Sequence, residues 1–488
     1  MMKNCIENNY GALEIMPEKG ETPGACKQRE ILPIEPKENL ETNMIAAKPT
    51  QIVMHLVNPS KLNDPNTCIA ELNKRFAVAK AGNKVVIIDE QSEPLSFLPP
   101  KEFETLYSNV IISIGTKKIA LGKFWLNHPD RRQYLNGIVF DPSDNSPREN
   151  YNLWNGFAVS PDPTKKCDLF LGHLENVICA GDDNCFQYFL YWLGHLIQHP
   201  NKLPGVAICL RSKQGAGKGI LMEYIGRIFG RHYTHLMDKS KLLGRFTGHL
   251  DKAVFVFADE IHWSNSQSDT GILKGLVTEP TRIMERKNHD AIQVNNYVHL
   301  IMASNEKLVV PTEMSDRRFF ILEVPDTKKG DNAYFDAIGN EMDNGGPEAL
   351  LAYLQAIDLT KFKPSDFPKT AARIEQQLQS LDPIDAWIYE LLQQGTINIY
   401  NFDQDTWPTE IEKKPFYQLY CDWLSRHRRG ANPESIRAMT KKLGNIGIKT
   451  KKLSVNGQRP QGYSLPPLEI LRKNFETLLD HFIEWESV

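Results

Sequence analysis

One stretch, Ser212-Lys-Gln-Gly-Ala-Gly-Lys-Gly219, constrains this chain more than any other. It follows an apolar run, Val206–Leu210, and precedes a helix-like segment, Ile220–Phe229. In a strand, glycine-rich turn and helix, backbone N–H groups curl around an anion and the helix start adds its positive dipole end. Gly215, Ala216, Gly217, Lys218 and Gly219 are therefore the candidate nucleotide-binding residues, with the Lys218 charge on the β- and γ-phosphates. The pattern G-x-x-x-x-G-K-[ST] is broken at both ends. Ser212 stands for its first glycine, and Gly219 removes the hydroxyl that usually holds Mg²⁺, which Ile220 cannot supply. A glycine turn with a chance lysine is the bland alternative, and the flanking strand and helix signals argue against it.

Three further strands carry chemistry at their ends. Ala253–Glu260 is an apolar run closing on two carboxylates, the look of a buried parallel strand whose carboxyl end meets a ligand. Asp259 is the candidate Mg²⁺ ligand, and Glu260 the group that orients and deprotonates the attacking water. Val298–Asn305 ends in Ser-Asn, and an amide there can hold water or a γ-phosphate without adding charge, a sensor role for Asn305. Asp316-Arg-Arg precedes a fourth strand, Phe319–Leu322. Arg318, with Arg317 as second choice, is the candidate finger reaching a neighbouring subunit's γ-phosphate; the alternative is a surface ion pair with Asp316.

These spacings resemble those of superfamily 3 helicases. The likeness sharpens at Arg286–Val294 followed by Leu300–Asn305, which is similar to the hairpin motif of papillomavirus replicative helicases. The resemblance implies that Lys287 grips the DNA backbone from a hairpin tip inside a ring. Asn288 stands where that family has histidine, with His289 as its substitute. Lys274, in Ile272–Thr278, resembles the lysine of the preceding family motif and is assigned to phosphate or DNA. Trp125–Pro129, Tyr151–Phe157 and the Gly-Ala-Gly-Lys-Gly loop resemble the helicase part of phage polymerase–primase proteins and of phage and plasmid primase–helicases. Some members share the Gly-Lys-Gly form. The likeness covers roughly 70–325, with a weaker echo in 410–475, and the polymerase or primase half is not apparent.

The implied fold is α/β: a P-loop AAA+-like ATPase core with an α/β N-terminal domain and a helical, winged-helix C-terminal region. The chain divides into an arm or linker at 1–49, a small α/β domain at 50–165 and a helical collar at 166–200. The ATPase core follows at 201–330, then a helical region at 331–410 and a winged-helix-like domain at 411–488. The implied function is ATP- and Mg²⁺-dependent movement of single-stranded or forked DNA by a homo-oligomeric ring, a hexamer, in replication of a phage, plasmid or other mobile element. A separate primase or polymerase is an implied partner.

Composition bounds the rest. The 488 residues are 41% hydrophobic and 24% charged with net charge −3, so any nucleic-acid binding rests on local patches rather than a global basic field. Eight scattered cysteines contain no C-x-x-C pair, which points to a reducing, cytoplasmic setting and away from a zinc ribbon. The longest apolar helical stretch, Cys185–His199, is too short and polar to span a bilayer; within the amphipathic helix Asp183–His199, Phe186, Phe189, Leu190, Leu193, Leu196 and Ile197 predict a core-facing stripe. Two rivals stand. A nucleotide kinase would share the Gly-Ala-Gly-Lys-Gly loop and lack the Asp-Glu and Ser-Asn pair. A replication initiator that binds ATP without strong turnover would explain the missing hydroxyl at 219.

Overall fold

The fold is taken from a computed structural model. It describes residues 64–486 except 83, 94, 262–266, 286–290, 307–309, 311–315, 398–406, 429–430 and 455–457. The expected arm at 1–49, the hairpin residues Lys287, Asn288 and His289, and the pair Asn456-Gly457, whose sequence reads as a hairpin turn, lie outside the described residues.

A parallel sheet of five strands organises the centre: β1 (Ala207–Arg211), β2 (Tyr233–Leu236), β3 (Phe255–Asp259), β4 (His299–Ser304) and β5 (Phe319–Glu323). Their order is β2-β3-β4-β1-β5, so β4 lies between the loop-bearing strand and the strand ending in two carboxylates. Before the sheet come a short helix α1 (Asp168–His173) and the long α2 (Asp183–Gln198). Helix α3 (Lys218–Phe229) follows β1, and α4 (Gln267–Thr278) follows β3. After β5 come α5 (Asn332–Asp343), α6 (Gly346–Ala356) and α7 (Ala371–Gln379).

Parallel strands are covered on both faces, and these read as continuous apolar runs for that reason. All six residues of β4 are buried. Alternate residues of β1 feed two cores. Ile208 and Leu210 join Leu193 of α2, Ile225 of α3 and Leu350 of α6 on one face. Cys209 joins Val256, Leu273, Met302 and Ile321 on the other. The expected stripe of α2 is buried at Phe189, Leu190, Leu193, Leu196 and Ile197, with Phe186 partly buried. Asp182 caps α2 by accepting the Cys185 N–H.

A smaller mixed sheet precedes this unit. Its strands run in the spatial order 96–98, 84–89, 76–81 and 133–134, around a core containing Phe76, Phe103 and Trp125. The aromatic run after Tyr151 is structural: Tyr151 and Trp154 are buried, and Trp154 lies 4.6 Å from the His232 ring. The tail has a core of its own, with Trp387, Tyr420, Leu443, Tyr463 and Phe475. There helix 383–394, strand 410–412, helices 413–427 and 436–445 and strands 449–452 and 461–464 follow in turn, with strand 461–464 in the middle of the sheet. The basic run Arg426–Arg429 reads in sequence as a turn, but Arg426 and His427 continue the helix that starts at Lys413, because the apolar stripe Phe416, Tyr420 and Leu424 carries the period to its last turn. Among the described residues no helix is long and apolar enough to cross a membrane.

One carboxylate staples the helices around the loop. Glu341 of α5 accepts the Leu169 and Phe170 N–H groups at the start of α1, at 2.9 and 3.0 Å. It also accepts the hydroxyl of fully buried Tyr224 in α3, at 3.0 Å. Removing it strands a buried phenol and two helix-start donors. Glu341→Ala should therefore cost roughly 2 kcal/mol, read as a lower urea midpoint, with Glu341→Gln less damaging because the amide oxygen still accepts.

Candidate nucleotide site

Strand β1 ends at Arg211, and the loop that follows is pinned from three sides. The Ser212 N–H bonds the Ser304 carbonyl at 3.1 Å, tying the loop's start to the end of β4. Arg211 pairs with Glu323 and, at 2.6 Å, with Glu375 of α7. Lys213 pairs with Asp326 at 3.2 Å. Gly215 and Gly217 take φ of +86° and +91°, a region that glycine enters without steric cost. Gly217 also has no room for a Cβ, which would sit 2.5 Å from His173 Cε1. Gly219 is different. Its φ is not positive, and an added Cβ would meet nothing within 4 Å.

Lys218, Asn305 and Glu260 form one hydrogen-bonded chain. The buried Lys218 ammonium donates to Ser212 Oγ and, at 3.0 Å, to Asn305 Oδ1. Asn305 Nδ2 donates to Glu260 Oε1 at 2.7 Å. An ammonium only donates and a carboxylate only accepts, so the amide's orientation is unambiguous. The parallel register makes this meeting possible: Asp259 lies beside Ala303, and Ala303 beside Leu210. Glu260 then turns sharply, with φ of +52° and its N–H on the Ala303 carbonyl at 2.9 Å.

Burial sets the electrostatics. It lowers the Lys218 pKa, and the charges of Asp259 and Glu260 oppose that shift. It raises the Asp259 pKa, opposed by Lys218 and His235. Asp259 Oδ1 is buried with no hydrogen-bond partner, while Oδ2 lies 3.8 Å from His235 Nε2. An orphaned carboxylate oxygen beside a phosphate-type loop suits Mg²⁺, which takes one or two carboxylates and completes its shell with phosphates and water. Among the described residues no three His, Cys, Asp or Glu side chains gather into a metal group, so the nucleotide would have to supply the remaining ligands.

The other expected site residues lie elsewhere. Arg317 and Arg318 precede β5 at the end of the sheet opposite the loop. The Arg318 carbonyl accepts the Ala207 N–H at 2.8 Å, four residues before Arg211, a strand distance of roughly 13 Å. Neither reaches its own loop. Arg318 lies 3.5 Å from Asp316, whose side chain is wholly buried, whereas Arg317 is exposed. Lys274 of α4 is on the same carboxylate at 3.3 Å. The hairpin expected to carry Lys287 has a described stem, strands 281–284 and 292–295 paired antiparallel. Buried Asn296 fastens its base by donating to the Leu276 and Glu279 carbonyls, at 2.8 and 2.9 Å.

Two residues at the loop had no signal in the sequence. His173, at the end of α1, places Nε2 3.1 Å from the Gly217 carbonyl and Nδ1 3.0 Å from the Tyr334 hydroxyl. Lys329 lies over Gly215, where a Cβ would come 3.4 Å from its Cγ. Distance along the chain hid both; no local pattern marks them.

Residues 210–318 match a family described as a family of unknown function, DUF5906. The chain is homologous to a protein named DNA Primase-polymerase from Nitratiruptor phage NrS-1, with 29% identity over 207 residues, 42% of this chain and 29% of that protein. The chain thus matches under a third of that relative's length. An apo structure of the NrS-1 C-terminal region shares the fold, with TM-score 0.62 and 18% identity over 83% of this chain and 99% of that one. A second apo structure of the region gives TM-score 0.59 and 19% identity, over 83% and 100%.

The positive φ of Glu260 yields a stability prediction. Glu260→Gly should be more stable than Glu260→Ala by about 1 kcal/mol, since only alanine keeps the left-handed penalty. Paired urea titrations measure the difference.

Proposed function

We propose that this chain is an ATP-driven DNA translocase of the AAA+-like, superfamily 3 type, serving replication of a phage, plasmid or related element inside the cell. One observation carries the reading: the Lys218–Asn305–Glu260 chain at the carboxyl edge of a sheet ordered β2-β3-β4-β1-β5. A basic group for the phosphates, a neutral amide and a carboxylate for the attacking water are thus linked in one chain of hydrogen bonds. The homologous phage protein carries a primase–polymerase name, which favours replication as the setting.

In this proposal the loop amides and Lys218 bind the phosphates of ATP. Asp259 holds Mg²⁺, which when bound neutralises charge on the β- and γ-phosphates. Glu260 accepts the proton of the attacking water, and Asn305 positions Glu260 relative to Lys218. Arg317 and Arg318 lie too far from their own loop, so a finger must come from a neighbouring subunit, as in a ring. Arg317, the exposed one, is the better candidate, because Arg318 is turned onto Asp316. Lys287, with Asn288 and His289, which fall between the two stem strands in the sequence, would contact single-stranded or forked DNA. Lys274 supports that end of the molecule through Asp316. The tail, with its order helix, strand, helix, helix, strand, strand, is read as a winged-helix unit. A separate primase would supply primers, or a separate polymerase would extend them. A kinase is disfavoured by the Asn305–Glu260 pair at the loop. A weakly hydrolysing initiator keeps one point in its favour, the glycine at 219.

ATP hydrolysis, measured with and without single-stranded DNA, tests the proposal. The wild-type chain should hydrolyse ATP faster with DNA, and Lys218→Ala should lose at least a hundredfold; retained hydrolysis in that variant refutes the assignment. Mixing inactive Lys218→Ala with inactive Arg317→Ala should restore part of the activity, since one protomer keeps its loop and the other its arginine. No recovery with either Arg317→Ala or Arg318→Ala removes the shared site.

A further inference from the structure

We propose that His173 is a positioning residue for nucleotide binding: it fixes the Gly217 peptide of the loop and links that peptide to helix α5 through Tyr334. The inference rests on the ATP-binding reading above and names a device within it. His173 is buried, at 1% exposure, and both ring nitrogens are engaged. A carbonyl can only accept, so Nε2 carries the proton toward Gly217, and Nδ1 of the neutral ring accepts the Tyr334 hydroxyl. The contacts on its two nitrogens therefore define one tautomer.

The peptide's rigidity gives this bond its leverage. A trans peptide is planar, with C=O and N–H pointing in opposite directions. Holding the Gly217 carbonyl toward His173 turns the Lys218 N–H away from the histidine. The Gly217 carbonyl also accepts the Leu221 N–H of helix α3 at 3.4 Å, and the His173 bond at 3.1 Å is a second and shorter hold on it. The restraint is tight: a Cβ on Gly217 would lie 2.8 Å from His173 Nε2 and 3.0 Å from Phe335 Cε1.

Helix α1 is held at both ends by α5. Glu341 takes its first N–H groups, and Tyr334 takes the histidine at its last turn. Tyr334 is itself located, because Asp331 caps α5 on the Tyr334 N–H at 3.1 Å and the Lys328 ammonium lies 4.5 Å above its ring. A displacement of α5 would therefore loosen the histidine's hold on the Gly217 carbonyl and leave that of the Leu221 N–H. Conversely, phosphate on the Lys218 N–H favours the peptide orientation that keeps α5 docked.

The test uses the full chain and a fluorescent ATP analogue, mant-ATP, with steady-state hydrolysis alongside. His173→Ala should bind mant-ATP roughly tenfold more weakly, with KM for ATP raised similarly and kcat within about threefold of wild type. His173→Gln, whose amide donates and accepts at similar positions, should recover most of the affinity. Tyr334→Phe removes one hydroxyl and guards against a His173 variant that fails to fold; it should weaken binding by about threefold by releasing the tautomer. Equal affinity in wild type, His173→Ala and Tyr334→Phe overturns this inference alone, and so does failure of glutamine to recover binding. Absence of mant-ATP binding by the wild type overturns the ATP-binding reading, and this inference with it.

Discussion

The register of β4 between β1 and β3 is the constraint on which the candidate site depends. A parallel ladder fixes which strand ends lie side by side. Here it sets Ala303 beside Leu210 and beside Asp259. The residues immediately beyond these are Ser304-Asn305, Arg211-Ser212 and Glu260. They come together because the strands carrying them are paired in that register. A one-residue slip of β4 would turn its side chains to the opposite faces and draw Asn305 out of reach of both Lys218 and Glu260. The apolar runs therefore do more than fill a core: their burial on two faces pins the alignment that the polar ends require.

Much of this was legible because buried parallel strands write themselves as short apolar runs, and their chemistry sits at the punctuation. Ala253–Glu260 and Val298–Asn305 announce both strand and polar end, and the structure joins Lys218, Asn305 and Glu260 as those ends imply. Helix α2 was equally plain from its period. Helix α7 was not. Arg373, Gln376 and Gln377 are buried there while the helix reads as polar, since the Arg373 guanidinium reaches the Asp316 carbonyl at 3.1 Å. His173 and Glu341 were invisible for a related reason. Their partners lie 44 and about 170 positions away, and nothing local separates a loop-pinning histidine from an ordinary buried one.

The two ends of the sheet contrast electrostatically. At the carboxyl end, cation, amide and carboxylate are linked but leave Asp259 Oδ1 unpartnered. At the amino end, Asp316 is a buried hub: Lys274 and Arg318 approach its carboxylate, and Arg373 bonds its carbonyl. A wholly buried carboxylate is tolerable only with such company. The same company restricts Arg318, whose guanidinium cannot swing outward without leaving Asp316 undercompensated.

Gly219 stands apart from the loop's other glycines. Gly215 and Gly217 serve the backbone's left-handed turns, whereas position 219 has ordinary dihedrals and open space around it. Packing did not evict the hydroxyl found there in the usual motif. A serine at 219 therefore fits this backbone without strain, and any difference in metal handling between the two forms would follow from one hydroxyl alone, with every strand of the scaffold unchanged.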